Sequence, residues 1–552
     1  MRLWSGLLGC LLVAGCASVP GPRGEPWLTD SEIVTSISSE PETIDPQKAS
    51  FVSEASLVSM VFEPLLTYDP GGLQLQPAAA RALPDVSPDG RVYTYRLRPG
   101  LVYSDGAPLT AADFAFAWLR LCDPRTRGGS SFVAYPIAGC EAWNQLDPQK
   151  ESVDRHDAMR RAVGIRAVDL LTLEFTLTKP AAHFPQATAL WIGAPVRSRD
   201  VPAWPTWNGQ EWTVPATYIG NGPFRLVEWK HSERLVFERN ERYRAPARAR
   251  KWTKVIITEP AVARTAYEHR ELDAVRVTPR DDTDREALLA RPDLVRSLGP
   301  CTTYIGFNTQ RAPFDDPLVR LAFAKSLDRE EMVRTIDRTG RAAVSLVPHL
   351  QPGHAHEDRT QAFDPAEAQR LLAASKYGAP VSGQLGAAPL TFTVRQSPIN
   401  AARTKWAIAQ WKAFLGVDVR YDPIDASAHV GWRRVAQDQP QLYLLGWCED
   451  FPDGQNWYST LFRSDSTVTR TGFSNAAFDA VIDRADVTGD PTERERLYQS
   501  ASFILSRSAP GAILGWSEVW TLVRPDVRGH QVSSFDWDFA QFSLSTVYRL
   551  AR

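Results

Sequence analysis

Two hydrophobic periodicities interleave along this chain, and no Pro/Ser-rich linker separates them. "RVYTYRLRPG" has a period of two: Tyr93, Tyr95 and Leu97 fall on one face, Thr94, Arg96 and Arg98 on the other. It follows "SPDG" and precedes "YSDG", a pattern of strand, turn and strand. "TLEFTLTKP" alternates too, with Leu173, Phe175 and Leu177 on the buried face. "LTAADFAFAWLRL" has a helical period instead. Thr110 is its N-cap, Asp113 holds the capping-box position, and Phe114, Ala117, Trp118 and Leu121 form one stripe. Asp316 followed by Pro317, and Asp364 followed by Pro365, mark two more helix starts. Val319, Ala322, Phe323, Ser326 and Leu327 share the inner face of the first of these. Interleaving without an internal repeat predicts an α/β fold in lobes that the chain crosses between more than once.

The N-terminus sets the compartment. Arg2 precedes an apolar run from Leu3 to Ala14, too short to span a bilayer and ending in small residues, as in a secretion signal. "LVAGC" resembles a bacterial lipobox, which makes Cys16 the acylated residue, residues 1–15 the signal, and 16–29 an anchor and tether with Gly21, Pro22, Gly24 and Pro26. Ala17 and Ser18 lack the aspartate that retains many lipoproteins at an inner membrane, which allows outer-membrane sorting. The expected location is periplasmic or cell-surface, with the membrane reached through lipid.

Of six cysteines, Cys10 leaves with the signal and Cys16 takes lipid. Cys122, Cys140, Cys301 and Cys448 remain, an even set that suggests two disulfides in an oxidising compartment. Three pairings are open at this point. Without a C-x-x-C, neither a redox nor a zinc site is indicated. With 62 basic and 64 acidic residues the net charge is −2, so a strongly basic nucleic-acid binder is excluded. No G-x-S-x-G, H-E-x-x-H or Walker loop occurs, and no enzyme is expected.

Several stretches together resemble one family. They are "SSEPETIDPQKASFVSEASLVSMVFEPLLTYD", "LPDVSPDGRVYTYRLRPGLVYSDGAPLTAADFAFAWLRLCDP", "YIGNGPFRLVEWKHSERLVFERNERY", "IGFNTQRAPFDDPLVRLAFAKSLDRE" and "LGWCEDFPDGQNWYSTLF". In this order, from about residue 33 to 530, they look like the solute-binding proteins of peptide-importing ABC transporters. The resemblance implies a two-lobed α/β periplasmic binding protein of the class II, or cluster C, type, with an extra domain and a ligand cleft between the lobes. Lobe I would comprise 30–62, 181–300 and 522–552, the extra domain 63–180, and lobe II 301–521. The crossovers near Cys301 and Trp520 would be the hinge. "GNGPF" at 220–224 would be a structural turn.

The same resemblance implies a site. The family joins a cysteine in the strand matching "CTTYIGFN" to one in the strand matching "GWCED", which favours Cys301–Cys448 and leaves Cys122–Cys140 by subtraction. A receptor of many peptides must read what peptides share, and an extended ligand can add to strands of both lobes. Gly446 and Cys448 would lend main-chain groups from one lobe and Val52 from the other, with Tyr304 flanking the cleft. Asp450, two residues after the GWC cysteine, would receive the ligand's α-ammonium, and Trp447 would line a side-chain pocket. Trp520 stands where the family has a cleft tyrosine. Arg403 stands where it has a histidine that reaches ligand carboxylates. Leu444 replaces the family's basic residue, and Arg433 and Arg434 offer charge nearby.

The expected function is capture of short peptides and their delivery to an ABC permease by a monomer without cofactor or metal. The same scaffold could instead serve a murein peptide, a metal chelate, haem or a sugar. A lipid-anchored hydrolase or a structural envelope protein is the reading from another class. "HAHED" places His354 and His356 with Glu357 or Asp358, a chelating spacing, but in an apparent loop without an identifiable distant partner, so it reads as a surface loop.

Overall fold

The computed structural model describes residues 31–69, 73–201, 211–386, 388–425, 439–466, 468, 471–533, 539 and 541–550. The signal, Cys16, the tether, Arg433 and Arg434 lie outside them.

Among the described residues, one sheet of eleven strands runs through the molecule. From one edge to the other the order is Val419–Ile424, Leu390–Arg395, Leu442–Cys448, Leu294–Phe307, Gly511–Val523, Ala274–Arg276, Glu32–Ile37, Lys251–Ile256, Arg234–Arg239 and Phe224–Lys230. Arg341–Ala342 adds to the side of Gly511–Val523. Two long strands make this sheet continuous. Leu294–Leu298 pairs with Glu518–Leu522, and Thr302–Gly306 pairs with Gly511–Trp516, with a break in register between Leu298 and Thr302. At the break Gly299 lies so close to Ser517 that a Cβ there would collide with its Oγ. The Cys301 N–H donates to the same hydroxyl at 3.1 Å.

Hydrophobic burial divides on either side of that break. One cluster gathers Ile33, Met60, Trp118, Phe175 and Trp252. A second surrounds Phe323, Phe392 and Trp411, and a third Tyr304, Trp457 and Tyr498. A small fourth cluster, with Tyr267, Leu288 and Leu522, sits under the crossing strands.

The local signals hold. Helix Ala111–Cys122 starts with the Thr110–Asp113 capping box, the Thr110 N–H donating to Asp113 at 2.9 Å, and it buries Phe114, Ala117, Trp118 and Leu121. Asp316 caps Pro317–Lys325 and Asp364 caps Pro365–Ala374, each through a backbone N–H. Val92–Arg96 pairs with Asp85–Val86 across the "SPDG" turn. Its longer partner is Thr172–Thr176, however, because "YSDG" folds back on itself through Tyr103 N–H to Ala107 O at 2.9 Å. In "GNGPF" the Asn221 side chain bonds both the N–H and the C=O of Glu63. Both disulfides are present: Cys122–Cys140 joins two helix ends, and Cys301–Cys448 joins two paired strands.

An ion pair with no exposed side-chain surface ties helix Ala111–Cys122 to the chain after the first strand. Arg120 donates to both carboxylate oxygens of Asp45, at 2.6 and 2.5 Å, and to Gln47 at 2.8 Å. Removing one partner strands a charge away from water. Asp45→Ala is therefore expected to lower folding stability by about 3–5 kcal/mol, read as a fall in the urea midpoint.

Candidate ligand-binding cleft

The strand Leu442–Cys448 pairs antiparallel with Leu294–Phe307, from Phe307 opposite Leu442 to Cys301 opposite Cys448. The Asn308 N–H donates to Gln441 O and the Glu449 N–H to Pro300 O, both at 3.0 Å. Odd-numbered residues of this stretch therefore turn their main chain to that partner. The period of two sends the N–H and C=O of Gly446 and Cys448 to the opposite edge. The strand Leu390–Arg395 covers that edge only at Leu442 and Tyr443. Beyond Tyr443 no strand of the described residues pairs with it. The result is a short open edge, held in place from behind by the disulfide and presenting the two residues expected to lend main-chain groups.

Three acids follow, and they have different fates. Glu449 is fully buried, and burial pushes its carboxyl well above the usual range. The Trp457 indole donates to it at 2.8 Å. Asp453 caps helix Gly454–Phe462 and pairs with Arg494 at 2.7 Å. Asp450 is half-buried, and among the described residues no Lys or Arg pairs with it. Burial raises its pKa to about 6, opposed by a hydrogen bond from Asn456 Nδ2 at 3.3 Å. Asn456 Oδ1 also accepts from the Asp450 N–H at 3.0 Å and from the Trp447 indole at 3.1 Å. One asparagine on helix Gly454–Phe462 thus fixes both the candidate anion and the candidate pocket wall. Sequence reasoning missed it, because an asparagine after a turn carries no sign of what it will bond.

The next residue, Phe451, leaves this lobe and stacks on His183, with ring centroids 5.8 Å apart and planes 3° from parallel. It belongs to the core cluster that also holds Ile33, Trp118 and Trp252. Burial pushes the His183 imidazole down to about 4, so the ring that receives Phe451 is neutral. Asp450 stands one residue from the point where the two bodies touch.

Beyond the end of strand Glu32–Ile37, a cavity of about 430 Å³ is lined by Ser36, Ser38, Phe51, Arg276 and Thr521, among others. The Phe51 ring is 56% exposed. Val52 is the first residue of helix Val52–Val61, so its neighbourhood is a helix start rather than a strand.

Three expected ligand contacts need correction. The Tyr304 side chain is 1% exposed and packs in the core against Phe462, because its position on the strand faces inward. Trp520 is 2% exposed, lies in the cluster under the crossing strands, and gives its indole N–H to Glu518 at 2.8 Å. Arg403 is paired with Asp337 at 2.8 Å, and neither side chain is far into solvent, so its charge is already met.

Two bodies joined through a pair of long crossing strands, with a short open strand edge beside the junction, form a two-lobed α/β architecture. Residues 74–468 match the bacterial extracellular solute-binding proteins, family 5, and the chain belongs to that family. It is 29% identical to the periplasmic murein peptide-binding protein MppA of Escherichia coli K12, over 93% of both chains. It is 28% identical to the periplasmic oligopeptide-binding protein OppA of Salmonella typhimurium, covering 95% of this chain and 94% of that one. An unliganded open form of MppA superimposes with a TM-score of 0.78 at 26% identity, over 96% of this chain and 99% of that one. Haemophilus influenzae OppA in complex with RPPGFSPFR shares the fold, with a TM-score of 0.72 at 22% identity over 95% of this chain and 100% of that one. These relatives are periplasmic. No helix of the described residues is long and apolar enough to cross a membrane.

The raised pKa of Asp450 has a consequence for the empty protein. A carboxyl that titrates near 6 when folded, against 3.8 as its ordinary value, binds its proton more tightly in the native state. That contribution is whole below the ordinary value and is lost as pH rises through about 6. Asp450→Asn removes the buried charge. Without ligand it should unfold at a higher temperature than the parent at pH 7.5, and the difference should shrink toward pH 4 in a calorimetric scan.

Proposed function

We propose that this chain is a lipid-anchored receptor that encloses short peptides between its lobes, holds their free α-ammonium at Asp450, and passes them to an ABC permease. The observation that carries this reading is the unpaired, half-buried Asp450 carboxylate at the end of an open strand edge. Burying a charge without a partner is unfavourable. A fold that keeps one beside a lobe–lobe contact is arranged for a cation that arrives from outside. An extended peptide supplies that cation and, at the next residues, the N–H and C=O groups that Gly446 and Cys448 lack. Trp447, fixed by Asn456, stands as a wall for a side chain.

The relatives support a peptide as the ligand class, since two of them are named for murein peptide and oligopeptide binding. A murein peptide with a free amine is the second reading, favoured by the likeness to MppA in both sequence and structure. Both readings use the same ammonium and the same acid. In the proposed division 30–62, 181–300 and 522–552 form lobe I, 63–180 the extra domain and 301–521 lobe II, with the hinge at the two crossovers. Residues 1–15 are the proposed signal, Cys16 the acylated residue and 16–29 the tether to the membrane. The receptor is proposed to work as a monomer.

Two measurements test this. Calorimetry with one tripeptide, free and N-acetylated, should show acetylation or Asp450→Asn weakening binding at least about tenfold, since a charge-assisted bond and a stranded ammonium are both at stake. Equal binding of the two peptides would falsify the role of Asp450.

The second measurement is pH dependence. The ammonium favours the ionised acid, so below about pH 6 binding must drive a proton off Asp450. Affinity for the free peptide should fall by up to about tenfold per pH unit there, and stay level from pH 6 until the α-amine itself deprotonates near about 8. The acetylated peptide should show no such slope.

A further inference from the structure

The loop that follows Ser345 contains three histidines, and the fold gathers them. His349, His354 and His356 each offer a ring nitrogen, and these nitrogens all lie within 4.8 Å of one another. The ring centroids of His354 and His356 are 4.6 Å apart, and those of His349 are 5.5 and 5.7 Å from the other two. His354 and His356 have the spacing noted above as chelating. The partner they lacked is His349, five residues upstream, brought round by the turn through Gly353, whose φ of +91° suits glycine.

We propose that these three imidazoles bind a borderline divalent ion of the zinc class, at a site separate from the peptide-binding strand. Four observations carry this.

His354 is buried, and its Nδ1 bonds Val347 O at 2.7 Å. A carbonyl can only accept, so Nδ1 carries the hydrogen and Nε2 is left with a free lone pair. This is the second-sphere arrangement that fixes a ligating histidine.

The loop is held at several points. Trp516 donates to Ser345 O at 3.0 Å, Thr302 to Leu346 O at 2.7 Å, and Tyr458 to Gly353 O at 2.9 Å. The Gly353 N–H donates to Glu495 at 2.7 Å, and the fully buried Asp358 accepts from Ser502 and Ser506. Such a loop is a rigid mount rather than a solvated surface segment.

The rings line a cavity of about 520 Å³ together with Trp516, Asp328 and Glu330, so there is room for a fourth ligand. Three histidines with one open position are a common zinc arrangement.

The burial gradient suits capture. His354 is anchored, His349 is half-buried and His356 is exposed. In a tetrahedral site the nitrogens stand about 3.4 Å apart, so the two outer rings must swing inward by rotation of their own side chains. The ligand set, all imidazole, favours zinc, nickel or copper over magnesium or calcium, which prefer oxygen.

The test uses the full chain without a histidine tag, stripped with a chelator. Zinc should bind with a stoichiometry of one by calorimetry and raise the unfolding temperature, while magnesium should do neither. Cobalt should give the visible absorption of a tetrahedral nitrogen site. His356→Ala, at an exposed position that leaves folding intact, should weaken zinc at least tenfold, and His354→Gln should abolish the cobalt spectrum. Asp450→Asn should leave zinc binding unchanged. Absence of zinc binding by the parent, or zinc binding equally strong in His356→Ala, would overturn the proposal.

Discussion

The structure depends on two strands that each belong to both lobes. Leu294–Phe307 and Gly511–Val523 pair antiparallel along most of their length, with breaks in register after Leu298 and again between Thr303 and Tyr304. Each half of the pair is continued by other strands, those of the first lobe on one side and those of the second on the other. Ladder hydrogen bonds make each half stiff, so bending is confined to the few residues where the ladder is interrupted. Gly299 is at that interruption because no side chain fits against Ser517. With the proposed hinge at this break, the two halves would rotate without unpairing either ladder. The GWC strand, paired to the second half, lies immediately beside that break.

The acids of that strand show how charge is distributed around the pivot. Several buried acids are matched by arginine, Asp45 with Arg120, Glu63 with Arg244 and Asp453 with Arg494, while Asp358 and Asp486 are held by hydroxyl groups. In the stretch 449–453 the balance is deliberate in a physical sense. Glu449 is kept toward its neutral form by burial, and Asp453 is cancelled by its arginine. One unmet charge remains, on Asp450. In the proposed function a single fixed anion suits a single ammonium, whereas two would leave one stranded after the ligand arrived.

Local chemistry was legible in the sequence; distant partnership was not. Helix caps such as Thr110 with Asp113 act within four residues, so the caps could be read directly. The alternation of Tyr93, Tyr95 and Leu97 gave the buried face of its strand for the same reason. The family resemblance supplied the lobes and the Cys301–Cys448 pair, which no spacing rule could. It failed where a side chain's fate rests on a residue far away in sequence or on inward packing. Trp520 and Tyr304 are core residues because of what packs round them, and Arg403 is occupied because Asp337 lies beside it. Asn456 and His349 were overlooked although both are close in sequence to residues singled out. Their roles come from the turns that bring them back, and those turns are set by tertiary contacts.

In the proposed function, a strand edge and a lone acid do different work on the same ligand. Each main-chain hydrogen bond exchanges a bond to water for one to protein, a net gain of about 0.5–1.5 kcal/mol, and it is indifferent to the side chain it passes. Such bonds favour any extended peptide and set no starting point, so the chain could slide along the edge in steps of two. The ammonium occurs only once, at the end. Moving it away from Asp450 by one step would leave the acid unmet and a second charge enclosed, at a cost larger than any single hydrogen bond regained. Under that proposal the acid fixes register where the edge alone cannot. Trp447, oriented by the same asparagine that holds the acid, then meets a defined residue of the ligand. Recognition of a terminus is in this way converted into recognition of position, without any demand on sequence.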